Sequence, residues 1–153
     1  MNKLVLPRPT PMALPDPDNN EWKMLAVGFP VWLYAPSQSV VTNTVVQDGL
    51  TIKITATPVS YVFDMGNRDV VSCVRMPRRP VNLSNPMGES PDCGYTYLDP
   101  GVYNISLAVT WRIDWSAVGI TGSFNHTPSA VFALKPLPIG ELHAVIVDTE
   151  ENI

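Results

Sequence analysis

The stretch Tyr103-Asn104-Ile105-Ser106-Leu107-Ala108-Val109-Thr110-Trp111-Arg112-Ile113-Asp114-Trp115 decides the fold class. Tyr103, Ile105, Leu107, Val109, Trp111, Ile113 and Trp115 fall on one side of an extended chain, while Asn104, Ser106, Thr110, Arg112 and Asp114 fall on the other. A repeat of two residues belongs to a strand with one buried and one wet face, whereas a helix repeats near 3.6. The run is long for one strand, so a bend or bulge is expected within it, or a hairpin partner of similar length.

Upstream, Leu50, Ile52, Ile54 and Ala56 alternate with Thr51, Lys53, Thr55 and Thr57, which predicts a second half-wet strand ending at Pro58. Val59 to Phe63 begins another, and Val40 to Val46 precedes the turn signal Gln47-Asp48-Gly49. Shorter β-prone runs lie at Lys23–Val27, Val31–Tyr34, Ala130–Leu134 and Leu142–Val147; Gly119 and Gly122 mark a turn region, and Pro136 and Pro138 separate the last two runs. Seven or eight short strands with turn signals between them predict an all-β, mostly antiparallel sandwich, with the Tyr103–Trp115 stripe as its main core wall.

Composition agrees. The chain has 153 residues, 45% of them hydrophobic and only 16% charged, enough for one domain that needs no metal or cofactor to hold together. Its 16 prolines exclude long helices and belong in turns, edges and extended segments. Five of them, Pro7, Pro9, Pro11, Pro15 and Pro17, fall in residues 1–22, which read as an extended Pro-rich arm that stays outside the sandwich of residues 23–147. Leu4, Val5, Leu6, Met12 and Leu14 give that arm apolar surface to dock on a protein partner or a second copy. Residues 148–153 read as an acidic C-terminal tail.

A net charge of −4 without a basic face argues against nucleic acid. The longest apolar stretch, Met24 to Pro36, is interrupted by Pro30 and does not span a bilayer. Met1 to Leu6 is too short for a secretory core, so export would rely on a signal outside this sequence or on another route. The two cysteines, Cys73 and Cys93, are too few for a four-ligand zinc site, and neither His126 nor His143 stands at metal-ligand spacing from them. A disulfide, implying an oxidising compartment, is one reading and two buried thiols the other. Between them lie Arg75, Arg78 and Arg79 among four prolines, either a binding loop for an anionic polymer or acidic partner or a solvated loop. No phosphate loop, nucleophile elbow, zinc-protease motif or paired-carboxylate spacing occurs, so no catalytic residue and no cofactor are expected.

Two segments carry a family likeness. Tyr61-Val62-Phe63-Asp64-Met65-Gly66-Asn67 resembles the W-x-F-D-F-G-D-G signature of the PKD (polycystic kidney disease) domain family. Tyr95-Thr96-Tyr97-Leu98-Asp99-Pro100-Gly101-Val102-Tyr103-Asn104-Ile105-Ser106-Leu107 resembles that family's H-T-Y-x-x-P-G-x-Y-x-V-x-L strand, in the same order and at a similar separation. The placing of Cys73 and of Asp92-Cys93 around these motifs is similar to PKD-like proteins exported by actinobacteria. The sequence departs from the pattern at Asn67-Arg68, where the family has Asp-Gly, and at Tyr95, where it usually has His. The resemblance implies an immunoglobulin-like sandwich and a non-enzymatic module of surface proteins.

The residues of the two motifs have structural roles on physical grounds as well. Asp64 is placed to bond turn amides, Gly66 belongs to that turn, and Tyr97 is placed to close a corner by bonding backbone. Pro100-Gly101 suits a tight turn ahead of Tyr103. The expected function is therefore a structural or adhesive binding module, secreted or at the cell surface. The alternatives are a virion decoration or tail protein and a carbohydrate-binding module using Trp22, Trp32, Tyr34 and Trp115.

Overall fold

The computed structural model describes residues 4–19, 21–36, 38–75 and 93–141. Its strands are β1 (Met12–Leu14), β2 (Leu25–Ala26), β3 (Pro30–Tyr34), β4 (Val41–Gln47), β5 (Leu50–Asp64) and β6 (Val70–Cys73). The second half adds β7 (Gly94–Thr96), β8 (Gly101–Tyr103), β9 (Ser106–Ala117), β10 (Ile120–His126), β11 (Val131–Phe132) and β12 (Leu137–Gly140). The one helical element among the described residues is a 3-10 turn at Pro17–Asn19.

One large sheet has the order β10-β9-β5-β4, with β11 beside the base of β9 and β6 beside the base of β5. Two small sheets, β1-β3-β7 and β2-β12-β8, supply the rest. All pairs are antiparallel except β12 with β2. The large sheet contributes Ala56, Phe63, Leu107, Val109, Trp111 and Ile113, the small sheets Val31, Leu33, Leu137 and Ile139, and the β7–β8 connection Tyr97, to one continuous buried cluster. That arrangement is compatible with a β-sandwich. The apolar stripe is where the sequence places it, with Ile105, Leu107, Val109, Trp111 and Ile113 buried and Arg112 exposed, but Ser106, expected on the wet face, is buried as well.

Four expectations change on contact with the structure. The Tyr103–Trp115 run is not one strand. It breaks at Asn104–Ile105, so that β8 pairs with β12 in a small sheet while β9 runs in the large one. Its long partner is β5, paired from Lys53↔Ser116 to Asp64↔Ser106.

Pro58 does not end its strand. β5 continues through it, with a register shift between Pro58 and Ser60. The missing N–H is tolerated because β4 has already ended, at Val41↔Ala56, and β6 begins only at Tyr61↔Cys73.

Residues 1–22 do not stay outside the core. Met12, Ala13 and Leu14 pair with Tyr34, Leu33 and Trp32, Leu14 is buried, and Leu4 and Leu6 pack against the core. Prolines 11 and 15 bracket this three-residue strand at the edge of its sheet, where a lost donor costs little. Lys135 fastens the segment further, with Nζ 3.6 Å from Asp16 Oδ1 and bonded to Asp18 Oδ2.

Lastly, Pro138 lies inside β12, beside Val102, rather than between strands, and Ala130–Leu134 shrinks to Val131–Phe132. Leu142–Val147 and the 148–153 tail lie outside the described residues.

The hairpin turns follow from chemistry. Asp48 and Gly49 (φ 54° and 76°) join β4 to β5, and Val118 and Gly119 (φ 46° and 79°) join β9 to β10. Both residues of each pair are left-handed, the type I′ turn whose twist matches the flanking strands. Gly119 thus belongs to the turn, whereas Gly122 lies within β10.

Candidate functional site

Cys73 closes β6 and bonds to Cys93, just before β7, across a sequence separation of 20. Both are buried in the shared cluster, so the bridge ties the large sheet to a small one. Replacing both cysteines by alanine should lower the unfolding free energy by about 3 kcal/mol, the loop-closure contribution at this separation. Urea denaturation of the oxidised parent and the variant measures it. Arg75 lies two residues beyond Cys73 and is exposed; Arg78, Arg79 and His143, and with them most of the expected arginine loop, lie outside the described residues.

The residues of the two motif segments meet at one end of the sheets. Asp64 Oδ1 accepts the Gly66 N–H at 2.9 Å, which forms the turn leaving β5. The buried Tyr97 hydroxyl donates to the Met65 carbonyl at 2.7 Å and holds that turn from the opposite segment. Tyr103 stacks on Tyr97 with centroids 4.2 Å apart, and its hydroxyl donates to the Asp99 carbonyl at 2.7 Å. Pro100 stands at the bend; Gly101 (φ 159°) is the near-extended first residue of β8 rather than a left-handed corner.

Tyr95 is a member of this cluster that the motif reading leaves without a role. It meets Tyr97 edge-on at 4.8 Å, its hydroxyl donates to Asp69, and it accepts from Asn67 Nδ2 at 2.8 Å. Burial, then the hydrogen bond to Asp69, raise the Tyr95 pKa. Burial chiefly, then the neighbouring Tyr95, raise that of Tyr97 well above the ordinary phenol range. A phenol held neutral in this way stabilises the fold fully below its unfolded pKa of about 10, and the contribution is lost as pH rises above that value. Stability should therefore fall above about pH 10, and less steeply in Tyr97→Phe. At neutral pH the same substitution should cost about 1–3 kcal/mol by orphaning the Met65 carbonyl. Thermal melts from pH 7 to 11 (about the span in which phenols titrate) test both. The Asp64, Tyr97 and Tyr103 bonds each lock backbone, whereas those of Tyr95 join side chains.

Among the described residues no group of three or more His, Cys, Asp or Glu side chains could hold a metal ion. A cleft of about 580 Å³ lies between residues 4–9 and the β10–β11 connection, floored by Val109 and Trp111 and rimmed by Arg8 and His126. It marks where the N-terminal segment crosses the large sheet.

The other surface feature is apolar. Leu134 is 93% exposed and Val118 83%; Leu98, Val102, Ile120, Phe124 and Phe132 are also more than half exposed. Ile120 and Phe124 share the inner face of the large sheet with Ala117 and Ile113, their partners in β9. On this face Ala117 and Ile113 of β9 are buried, while Ile120 and Phe124 on the edge strand β10 are exposed. Sequence reading misses it because alternation identifies the apolar face of a strand, not how far along the strand the second layer reaches. No helix of the described chain is long and apolar enough to cross a membrane.

No protein-family model matches the sequence, and neither a curated protein nor a solved structure matches it significantly.

Proposed function

We propose that this chain is a non-catalytic structural or adhesive module of an assembly outside the reducing cytoplasm. The observation that carries the reading is the bare apolar rim of the large sheet, with Ile120 64% and Phe124 54% exposed on a face that is core elsewhere. Scattered apolar residues are ordinary on a surface; a sheet face that runs from full burial into solvent is a partner's footprint. The buried Cys73–Cys93 bridge supports a secreted or surface location, because such bridges persist in oxidising compartments.

Within that class the sandwich is read as PKD-like and therefore immunoglobulin-like. Two observations support this. The Tyr97–Met65 bond joins the two segments that carry the resemblance. Arg68 stands where the family pattern has glycine and holds φ at 79°, a conformation that favours glycine. Arg68→Gly should therefore stabilise the protein by about 0.5–1 kcal/mol despite the added freedom of the unfolded chain, as a shift in melting temperature. An unchanged or lower melting temperature would count against the motif assignment. The glycan-binding alternative has less support: Trp22 is 45% exposed, but Trp32, Tyr34 and Trp115 are half-buried.

Density-gradient fractionation of the native source, with thiols alkylated at lysis, tests the proposal. The chain should sediment with a large assembly, outside the cytoplasmic fraction, with both cysteines protected. A free, reduced monomer in the cytoplasm would contradict it, and the identity of the sedimenting particle separates a surface structure from a virion.

A further inference from the structure

We propose that β10 is the assembly edge of this chain and that its partner is β10 of a second copy, paired antiparallel about a two-fold axis at Ser123. The inference rests on the reading of the chain as an assembly component and names the surface and the partner.

β10 pairs with β9 on one side only, in an unbroken register from Ile120↔Ala117 to His126↔Trp111. In a two-residue type I′ hairpin the residues flanking the turn form the hydrogen-bonded pair. Ala117 and Ile120 are those residues, so the N–H and C=O of Ile120, Gly122, Phe124 and His126 serve β9. Those of Thr121, Ser123 and Asn125 point away from it, and no backbone partner meets them among the described residues. Monomeric proteins protect such edges with Lys, Pro, bulges or an overlying loop. Ile120-Thr121-Gly122-Ser123-Phe124-Asn125-His126 has no Lys, no Pro and no bulge, and every residue but Gly122 is exposed.

The strand is complementary to itself. With the axis at Ser123, the outward groups of Ser123 meet those of Ser123 in the second copy, and Thr121 meets Asn125 on either side. Six backbone hydrogen bonds result, with polar side chains opposite one another on the wet face. On the inner face Phe124 comes opposite Gly122 of the second copy. Gly122 is where the Trp115 indole lies across the strand: a Cβ there would stand 2.4 Å from the ring. The incoming Phe124 therefore lands beside that indole, and the two-fold axis repeats the aromatic pair. This arrangement gives Gly122 a reason to be glycine inside a strand, keeps Trp115 flat, and covers the exposed Phe124.

The charges permit it. The nearest ionic groups are Asp114 and Arg112 on β9, which pair with each other at 3.1 Å. A hydrogen bond from Ser123, then one from Arg112, hold the Asp114 carboxyl below its usual pKa. The two copies of Asp114 would lie three strand spacings apart, about 14 Å, beyond the screening length of about 8 Å at physiological salt.

Sedimentation equilibrium of the full chain, from micromolar to submillimolar concentration, should show the mass rising from 16.8 kDa toward twice that value. Ser123→Pro removes the central outward N–H without touching the backbone bonds to β9, and should remain monomeric throughout; its melting temperature should fall only by the loss of the exposed Ser123–Asp114 side-chain bond. Ser123→Cys should cross-link to itself on mild oxidation, because directly opposed residues stand about 5.5 Å apart, within disulfide reach. Thr44→Cys, on the outer edge strand β4, should not. If Ser123→Pro fails to fold, the Ser123→Cys cross-link decides. A parent that stays monomeric, a dimer that survives Ser123→Pro, or a cross-link through Thr44→Cys instead would overturn the pairing. A monomeric purified chain whose native counterpart still sediments in a large assembly refutes this edge alone; a free native chain refutes the reading beneath it.

Discussion

Gly66→Ala should unfold the motif end of this protein or destabilise the whole by about 3 kcal/mol or more. Two independent costs meet at that residue. Its φ of 80° lies in the left-handed region, where a Cβ costs about 1–2 kcal/mol. A Cβ there would also stand 2.7 Å from the Asn104 carbonyl oxygen and 2.9 Å from the Asn104 nitrogen. Both atoms are backbone, and Asn104 is held between β8 and β9 where the chain crosses from one sheet to the other. Neither side can yield without breaking the turn that Asp64 and Tyr97 hold. Urea titration at neutral pH measures the effect, and a loss below about 1 kcal/mol would show that the turn relaxes freely.

Trp111→Ala is the second large effect, expected at about 3–5 kcal/mol. Trp111 is 1% exposed and sits midway along β9, paired with Pro58 on one side and His126 on the other. It occupies the level where the β5 register shifts, and its two cross-strand neighbours, the rigid ring of Pro58 and the exposed His126, are poorly suited to fill the space left behind. Trp111→Phe should recover much of the loss, because the aromatic volume largely returns. Equal losses in the two variants would place the cost in something other than the cavity.

The sequence makes some of this legible and hides the rest for physical reasons. The Tyr103–Trp115 alternation identifies the core wall because its apolar residues recur at every second position, as the buried Ile105, Leu107, Val109, Trp111 and Ile113 do. It does not reveal that Tyr103 belongs to another sheet, since a chain crossing between layers at Asn104–Ile105 can keep its period of two. Prolines mislead where one flank of the strand is free: β4 has ended before Pro58, β2 pairs with β12 only from Ile139 on, and both prolines sit inside a strand. The same chemistry makes residues 1–22 look detached, although Met12-Ala13-Leu14 needs only three residues to complete a sheet edge. At the candidate site, Asp64, Gly66 and Tyr97 stand in recognisable motifs. The bonds from Asp69 and Asn67 to Tyr95 span 26 and 28 residues and leave no local trace. The bare inner face at β10 is likewise invisible, because it depends on how far the small sheets extend over the large one.

Which edges remain open to a partner depends on which strands the chain has already used for itself, and native-state hydrogen exchange reads that directly. The Leu33 N–H bonds to the Cys93 carbonyl at 3.1 Å, so the other edge of β3, at Trp32 and Tyr34, is the one that β1 closes. The amides of Met12 and Leu14, opposite those residues, should therefore exchange with the same protection as the centre of β9. In dilute, monomeric protein the outward amides of Thr121, Ser123 and Asn125 should exchange fast. If Met12 and Leu14 exchange as an unstructured chain does while β3 and β9 stay protected, the N-terminal segment is a detached arm, and the division between closed and open edges falls with it.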